Sequence, residues 1–268
     1  MVKTPIKWHG GKSYSADRLV ALMPSHLHYV EPFAGGLSVL LAKDYEGVSE
    51  VVNDRDGRLT NFWNVLRDEK TFAKFRRMAE ATPFSQAEWE KAAEPSGDAV
   101  VSAFRFFVRV RQSLAGRQDR FAPPSRSRTR RGMNEQAAAW LTAVEGLPEV
   151  HARLKRVYVL NQDAVDVIRK EDGRDTLFYL DPPYHPSTRT APEVYTHEMD
   201  DAAHRRLLDV VTACKGKVVL SGYDCPLYAA RLAAWQRFDF EVPNHAAGGR
   251  SKRRMVETVW TNFGLVDS

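Results

Sequence analysis

The sequence predicts an α/β fold: a mostly parallel sheet with helices on both faces, plus a mainly helical insert in the middle of the chain. Three observations lead there. Strand-like and helix-like segments alternate at both ends of the 268 residues, as βαβ crossovers require. Residues 71–154 carry almost no strand signal. Two apolar runs end in turns rich in glycine, proline and acid, where an open α/β sheet places its ligands.

Taken in order, residues 28–33 form a short buried strand closed by Ala34-Gly35-Gly36, and residues 37–44 have helical apolar spacing. A second strand over 50–53 ends at Asp54, and a helix over 58–66 follows. Later strands are expected over 157–160, 176–180 and 217–220, separated or followed by helices near 163–170, 200–214 and 226–235. The last strands fall over 238–242 and 256–263. The middle block reads as several helices, one over 99–115, broken by a loop rich in Pro, Ser and Arg. The expected division is residues 1–67 and 156–268 as the α/β domain and 68–155 as the insert.

No apolar run approaches the roughly 20 residues needed to span a bilayer. The first twelve residues lack the apolar core of a signal peptide, so a cytoplasmic protein is expected. Cys214 and Cys225 read as ordinary reduced thiols outside any paired metal-ligand spacing, and no metal is expected. The net charge is +5, and its distribution says more than its size. Arg117, Arg120, Arg126, Arg128, Arg130 and Arg131 face a single acid, Asp119, within one stretch. Arg250, Lys252, Arg253 and Arg254 form a second cluster. Each alone reads as a solvated loop. Two such loops on one small chain suggest a polyanion footprint.

The strongest chemical signal is Asp181-Pro182-Pro183-Tyr184, directly after an expected strand. The two prolines remove two backbone donors and stiffen the turn. A carboxylate, the Pro182 carbonyl and an aromatic ring stand close together, a set that suits a planar amine. The amine of adenine is a poor nucleophile because its lone pair is delocalised into the ring. Two acceptors gripping its N–H groups favour a pyramidal nitrogen, and Tyr184 offers a stacking face. A base reaches such a pocket only by leaving the duplex stack. The bland alternative is a rigid strand-ending turn with a buried tyrosine.

The second signal is Tyr29-Val30-Glu31-Pro32-Phe33-Ala34-Gly35-Gly36-Leu37-Ser38. The full G-x-G-x-x-G spacing is absent, which disfavours a nicotinamide site. Glu31 fits poorly beside a pyrophosphate and well beside a methionine ammonium or sulfonium. Asp54, at the end of the next strand, suits a ribose diol. Together they describe an adenosine-containing cofactor. The third signal, Lys7-Trp8-His9-Gly10-Gly11-Lys12, offers a glycine turn between an aromatic and a lysine but is not a P-loop. His9 reads as structural or solvent-facing.

These motifs, with Asn53-Asp54, occur in the order seen in Dam-type DNA adenine-N6 methyltransferases, which the chain resembles over nearly its whole length. The resemblance implies a Rossmann-like class I methyltransferase sheet and transfer of a methyl group from S-adenosyl-L-methionine to N6 of adenine in double-stranded DNA. Transfer would be direct, onto a flipped base, without metal or covalent intermediate. Asp181, Pro182, Pro183 and Tyr184 would hold the target base. Trp8, Gly11, Lys12, Glu31, Phe33, Gly35, Asp54, Asp163 and Asp181 would line the cofactor site. The insert would be the target recognition domain. Arg109, the six arginines from 117 to 131, Arg250, Lys252 and Arg253 would contact DNA. A monomer is the default, and a restriction–modification setting with a partner nuclease is compatible.

The sequence departs from the family pattern at two places. Leu37 stands where the family's turn often has its last glycine. The stretch from Val108 to Arg117 keeps arginines and a glycine but lacks the family's asparagines. Methylation of cytosine N4 needs the same acceptor pair. An RNA substrate and an inactive DNA-binding protein are the other readings these residues allow.

Overall fold

The computed structural model describes residues 2–8, 10–188, 197–243 and 254–264. His9, Gly248, Gly249, Arg250, Lys252 and Arg253 lie outside the described residues, as do residues 189–195 of the segment that follows the proline turn. Two compact units are present. The first comprises residues 1–21, 35–45 and 56–161, the second residues 22–34, 46–55 and 162–268. Among the described residues no helix is long and apolar enough to cross a membrane.

The strands in chain order are β1 (His28–Glu31), β2 (Ser49–Asn53), β3 (Thr129–Arg130), β4 (Met133–Asn134), β5 (Val157–Leu160), β6 (Thr176–Leu180), β7 (Lys217–Gly222), β8 (Gln236–Pro243) and β9 (Arg254–Thr261). In the second unit the side-by-side order is β2-β1-β6-β7-β9-β8. The pairs β1–β2, β1–β6 and β6–β7 are parallel, while β9 runs antiparallel to both β7 and β8. All five residues of β6 are buried. A continuous apolar run of this kind belongs to a strand covered on both faces. Helices Ala164–Glu171 and Asp201–Val211 each bury one apolar stripe.

The first unit is mainly helical. Its helices Gly57–Arg67, Glu69–Ala81, Ala99–Arg111, Glu135–Glu145 and Leu147–Leu154 bury Phe62, Trp63, Phe75, Phe107 and Trp140. Phe62 and Phe107 stack with centroids 5.8 Å apart. Many of the helix starts are local matters: Asp56, Asp68, Ser85, Asp98, Asn134, Asp163 and Asp200 each cap a helix by accepting a backbone N–H.

Expected and observed elements differ mostly at their ends. β1 stops at Glu31, before Pro32, which has no N–H for the ladder. The helix expected over 99–115 ends at Arg111, and Ala115 and Gly116 take positive φ. The β3–β4 hairpin inside the basic loop was not expected. Its two connecting residues, Arg131 (φ 56°) and Gly132 (φ 72°), adopt the left-handed pair that a two-residue hairpin turn needs.

Candidate active site

In the second unit, β2, β1, β6 and β7 are parallel, so their carboxyl ends share one edge of the sheet. Along that edge stand Asp54 after β2, Glu31 at the end of β1, Asp181 after β6 and Tyr223 after β7. β1 has the next strand in the chain on one side and the much later β6 on the other. That reversal is the switch point at which open α/β sheets bind ligands.

Tyrosines and carboxylates are paired at this edge. Side chains two apart on a strand share a face, which brings Tyr29 to Glu31. The Tyr29 hydroxyl donates to Glu31 Oε1 at 2.6 Å, and Glu31 is only 2% exposed. Burial, then the Glu31 charge, raises the Tyr29 phenol well above its ordinary value, so it stays a donor at neutral pH. Tyr179 is shifted the same way by burial and then by the Asp181 charge, with Glu257 and Glu31 adding to it. Its hydroxyl lies 3.3 Å from Ser221 Oγ. Tyr184 donates to Glu257 Oε1 at 2.6 Å and meets Tyr223 edge to face, with centroids 4.5 Å apart. Asp181, Pro183 and Tyr184 are half-buried, and Pro182 is buried.

Asn53 ties the loops of this edge together. Its side chain donates to the Pro32 carbonyl (3.0 Å) and the Gln162 carbonyl (3.1 Å), and accepts from the Gln162 N–H (2.8 Å). Asp54, next to it in the chain, and Phe33, next to Pro32, are half-buried. Asp163 is placed as a helix cap, accepting from the Val165 N–H (3.0 Å) and from Arg206 (3.1 Å).

In the first unit, the Gly35-Gly36 turn lies against Trp8. A Cβ on Gly35, whose φ is +46°, would sit 3.0 Å from the indole. The Trp63 indole N–H donates to the Gly35 carbonyl at 3.2 Å. Lys12 is buried, and its ammonium donates to the Gly10 carbonyl at 3.0 Å, closing the glycine turn on itself. Burial, then Arg111, lowers the Lys7 pKa to about 8.

Leu37, the departure from the family turn, takes φ 55° and ψ 26°, a conformation that costs a non-glycine residue about 1–2 kcal/mol. Its side chain is fully buried, a gain of about 1.5–3 kcal/mol. Packing therefore offsets the strain. The expected order of stability is wild type, then Leu37→Gly, then Leu37→Ala. Both variants lose the side chain, but only glycine relieves the φ, so Ala lies below Gly by about 1 kcal/mol. Denaturant unfolding of the three proteins checks this; an alanine variant more stable than the glycine variant would refute it.

The expected DNA-contacting arginines fall into two groups. Arg117, Arg120, Arg126 and Arg130 are exposed in and around the β3–β4 hairpin. Arg128 pairs with Glu135 at 3.0 Å and Arg131 with Glu145 at 2.7 Å. Arg109 instead stacks on the Trp89 ring, 3.5 Å from its centroid, and donates to the Trp89 carbonyl (3.3 Å) and the Gln118 carbonyl. Arg111 donates to the Ala139 carbonyl at 2.6 Å, and burial lowers its pKa to about 10.

Sequence reasoning gave no role to Tyr29, although it stands in the second motif, and missed Tyr179, Ser221, Tyr223 and Glu257. Two of them carried a legible signal. Glu257 is an acid inside the apolar run Val256-Glu257-Thr258-Val259-Trp260, and Tyr29 stands two positions before Glu31 in a strand. The partners of the other three follow from strand order alone.

The family model for D12 class N6 adenine-specific DNA methyltransferases matches residues 8–99 and 117–239. No curated protein matches the chain.

Proposed function

The chain belongs to the D12 class N6 adenine-specific DNA methyltransferase family and methylates N6 of adenine in DNA; on that premise we propose how its residues carry out the transfer. The supporting observation is the adjacency of β1 and β6, which sets Glu31 and Asp181-Pro182-Pro183-Tyr184 side by side at the switch point of the sheet.

The methyl donor is S-adenosyl-L-methionine, which when bound supplies an electrophilic methyl on a sulfonium. The donor set fits it. Glu31 is a buried carboxylate whose charge complements a cationic amino-acid end, and its Tyr29 bond orients it. Asp54, one strand over, suits a ribose diol. Asn53 holds the main chain around both. Trp8, Gly11, Lys12, Gly35 and Phe33 enter the cofactor assignment through their motifs, and Asp163 and Asp181 through the family resemblance.

The substrate is an adenine turned out of double-stranded DNA. The Asp181 carboxylate and the Pro182 carbonyl accept its two amine N–H groups and localise the nitrogen lone pair. Tyr184 stacks on the ring. Transfer would break the methyl's bond to the sulfonium sulfur, which leaves as a neutral thioether, as the new C–N bond forms, and the nitrogen's surplus proton would pass to an Asp181 oxygen. The segment of residues 68–155 recognises the target, with the exposed arginines of the β3–β4 region on phosphates and base edges. Arg109 then acts by shaping this segment from within, since it stacks on Trp89 and donates to two main-chain carbonyls.

The test is the product. Duplex DNA and, in parallel, RNA are incubated with methyl-labelled S-adenosylmethionine, and the modified nucleosides are identified by mass spectrometry. N6-methyladenine is expected. N4-methylcytosine, or label in RNA only, would overturn the substrate assignment.

A further inference from the structure

Glu257 lies on β9, beyond the last residue of the family match. It is 3% exposed, in a strand bonded on both sides, by β7 and by β8. Burying a carboxylate is costly unless its charge is matched by strong hydrogen bonds. The bond it accepts from the Tyr184 hydroxyl, at 2.6 Å, falls in the short range of charge-assisted O–H···O pairs.

Tyr184 itself stands in neither helix nor strand. A ring on such a segment has no backbone ladder to set its plane. Two contacts supply what the backbone does not. Glu257 anchors the hydroxyl end, and Tyr223, just after β7, meets the ring edge to face. Glu257 stands in the sheet itself and Tyr223 one residue past a sheet strand, the kind of support that holds a functional side chain to its working orientation.

From this geometry we infer that Glu257 is a positioning residue, which sets the plane of the Tyr184 ring for stacking on the target adenine. The inference rests on the reading of Tyr184 given above. Glu257 touches neither the base nor the methyl donor in this scheme. It acts on the base through the tyrosine hydroxyl.

The experiment is a double-mutant cycle on the full-length enzyme. The probe is a duplex carrying the methylated sequence, with 2-aminopurine in place of the target adenine, whose fluorescence rises as the base leaves the stack. Tyr184→Phe, Glu257→Ala, Glu257→Gln and Tyr184→Phe/Glu257→Ala are compared with wild type for that signal and for kcat/KM. Tyr184→Phe and Glu257→Ala should each lower kcat/KM about tenfold, the worth of one hydrogen bond to a charged group. The double variant should fall no further than either single one. Glu257→Gln, which keeps an acceptor oxygen, should recover most of the flipping signal.

Independent losses that multiply in the double variant would overturn the inference. So would a Tyr184→Phe enzyme equal to wild type, a result that does not depend on whether the alanine variant folds. Tyr184→Ala separates the two levels. If removing the whole ring leaves flipping and turnover intact, the stacking role of Tyr184 fails. If it abolishes them while the cycle is additive, only the role of Glu257 fails.

Discussion

Asp181→Ala is expected to lower the rate of methyl transfer by a factor of about 10²–10³, the usual cost of removing one preorganised group that stabilises the reacting atoms. The fold should survive. Asp181 follows β6 and is half-buried, and the strand before it is held by β1 and β7 on either side. Its charge also bears on Tyr179, whose phenol it helps to raise, and it shares that surrounding with Glu31 and Glu257. Removing one of three neighbouring carboxylates relieves repulsion rather than creating it. Stability should therefore change by no more than about 1 kcal/mol. Asp181→Asn should lie between the two. It keeps one acceptor oxygen, but it loses the charge and presents N–H groups toward an amine that also donates. Transfer of labelled methyl groups to duplex DNA reads the rate, and the thermal shift produced by S-adenosylmethionine reads cofactor binding. An alanine variant within tenfold of wild type would remove Asp181 from the chemistry.

Asn53→Ala is expected to be the most damaging single change to the second unit outside its apolar core. The side chain is 1% exposed and makes three hydrogen bonds to main chain, to Pro32 and Gln162. A buried backbone group left without its partner costs about 1–3 kcal/mol. Gln162 is itself exposed, so water can satisfy part of what it loses. The expected sum is a loss of about 3 kcal/mol in unfolding free energy. Asn53→Asp should recover little, because both carbonyls then face an acceptor instead of a donor. The turn after Glu31 and the residues before the Asp163 cap are pinned by this one amide, so weaker cofactor binding should accompany the lost stability. Denaturant unfolding at unchanged slope, with a cofactor titration, checks both. A change below about 1 kcal/mol would show that the loops hold without it.

Much of the site was legible before any coordinates. Asp181-Pro182-Pro183-Tyr184, Glu31 and Asp54 each follow a run of apolar residues. A run that ends in proline, or in an acid before a glycine turn, marks a strand's carboxyl end by local chemistry. The aspartates that cap helices are local in the same sense: Asp163 and Asp200 bond to N–H groups two or three residues on. Asp163 also pairs with Arg206, 43 positions on, a partner that local chemistry does not announce. The arginines show the limit of composition. Arg109 and Arg130 both stand in a basic region of the sequence, yet one is stacked on Trp89 and the other is exposed on a hairpin.

The sequence by itself determined the strands of the large sheet, though not the β3–β4 hairpin, along with the residue types at their ends, and so the class of chemistry. Periodicity, turns and caps act over a few residues, and those distances are readable along the chain. Only the tertiary structure decided that β6 lies beside β1 and that β9 runs between β7 and β8. Those pairings join residues up to about 150 positions apart in the chain, and they are selected by the burial of whole faces rather than by any local preference. The Tyr184–Glu257 bond, across 73 positions, exists because of that choice.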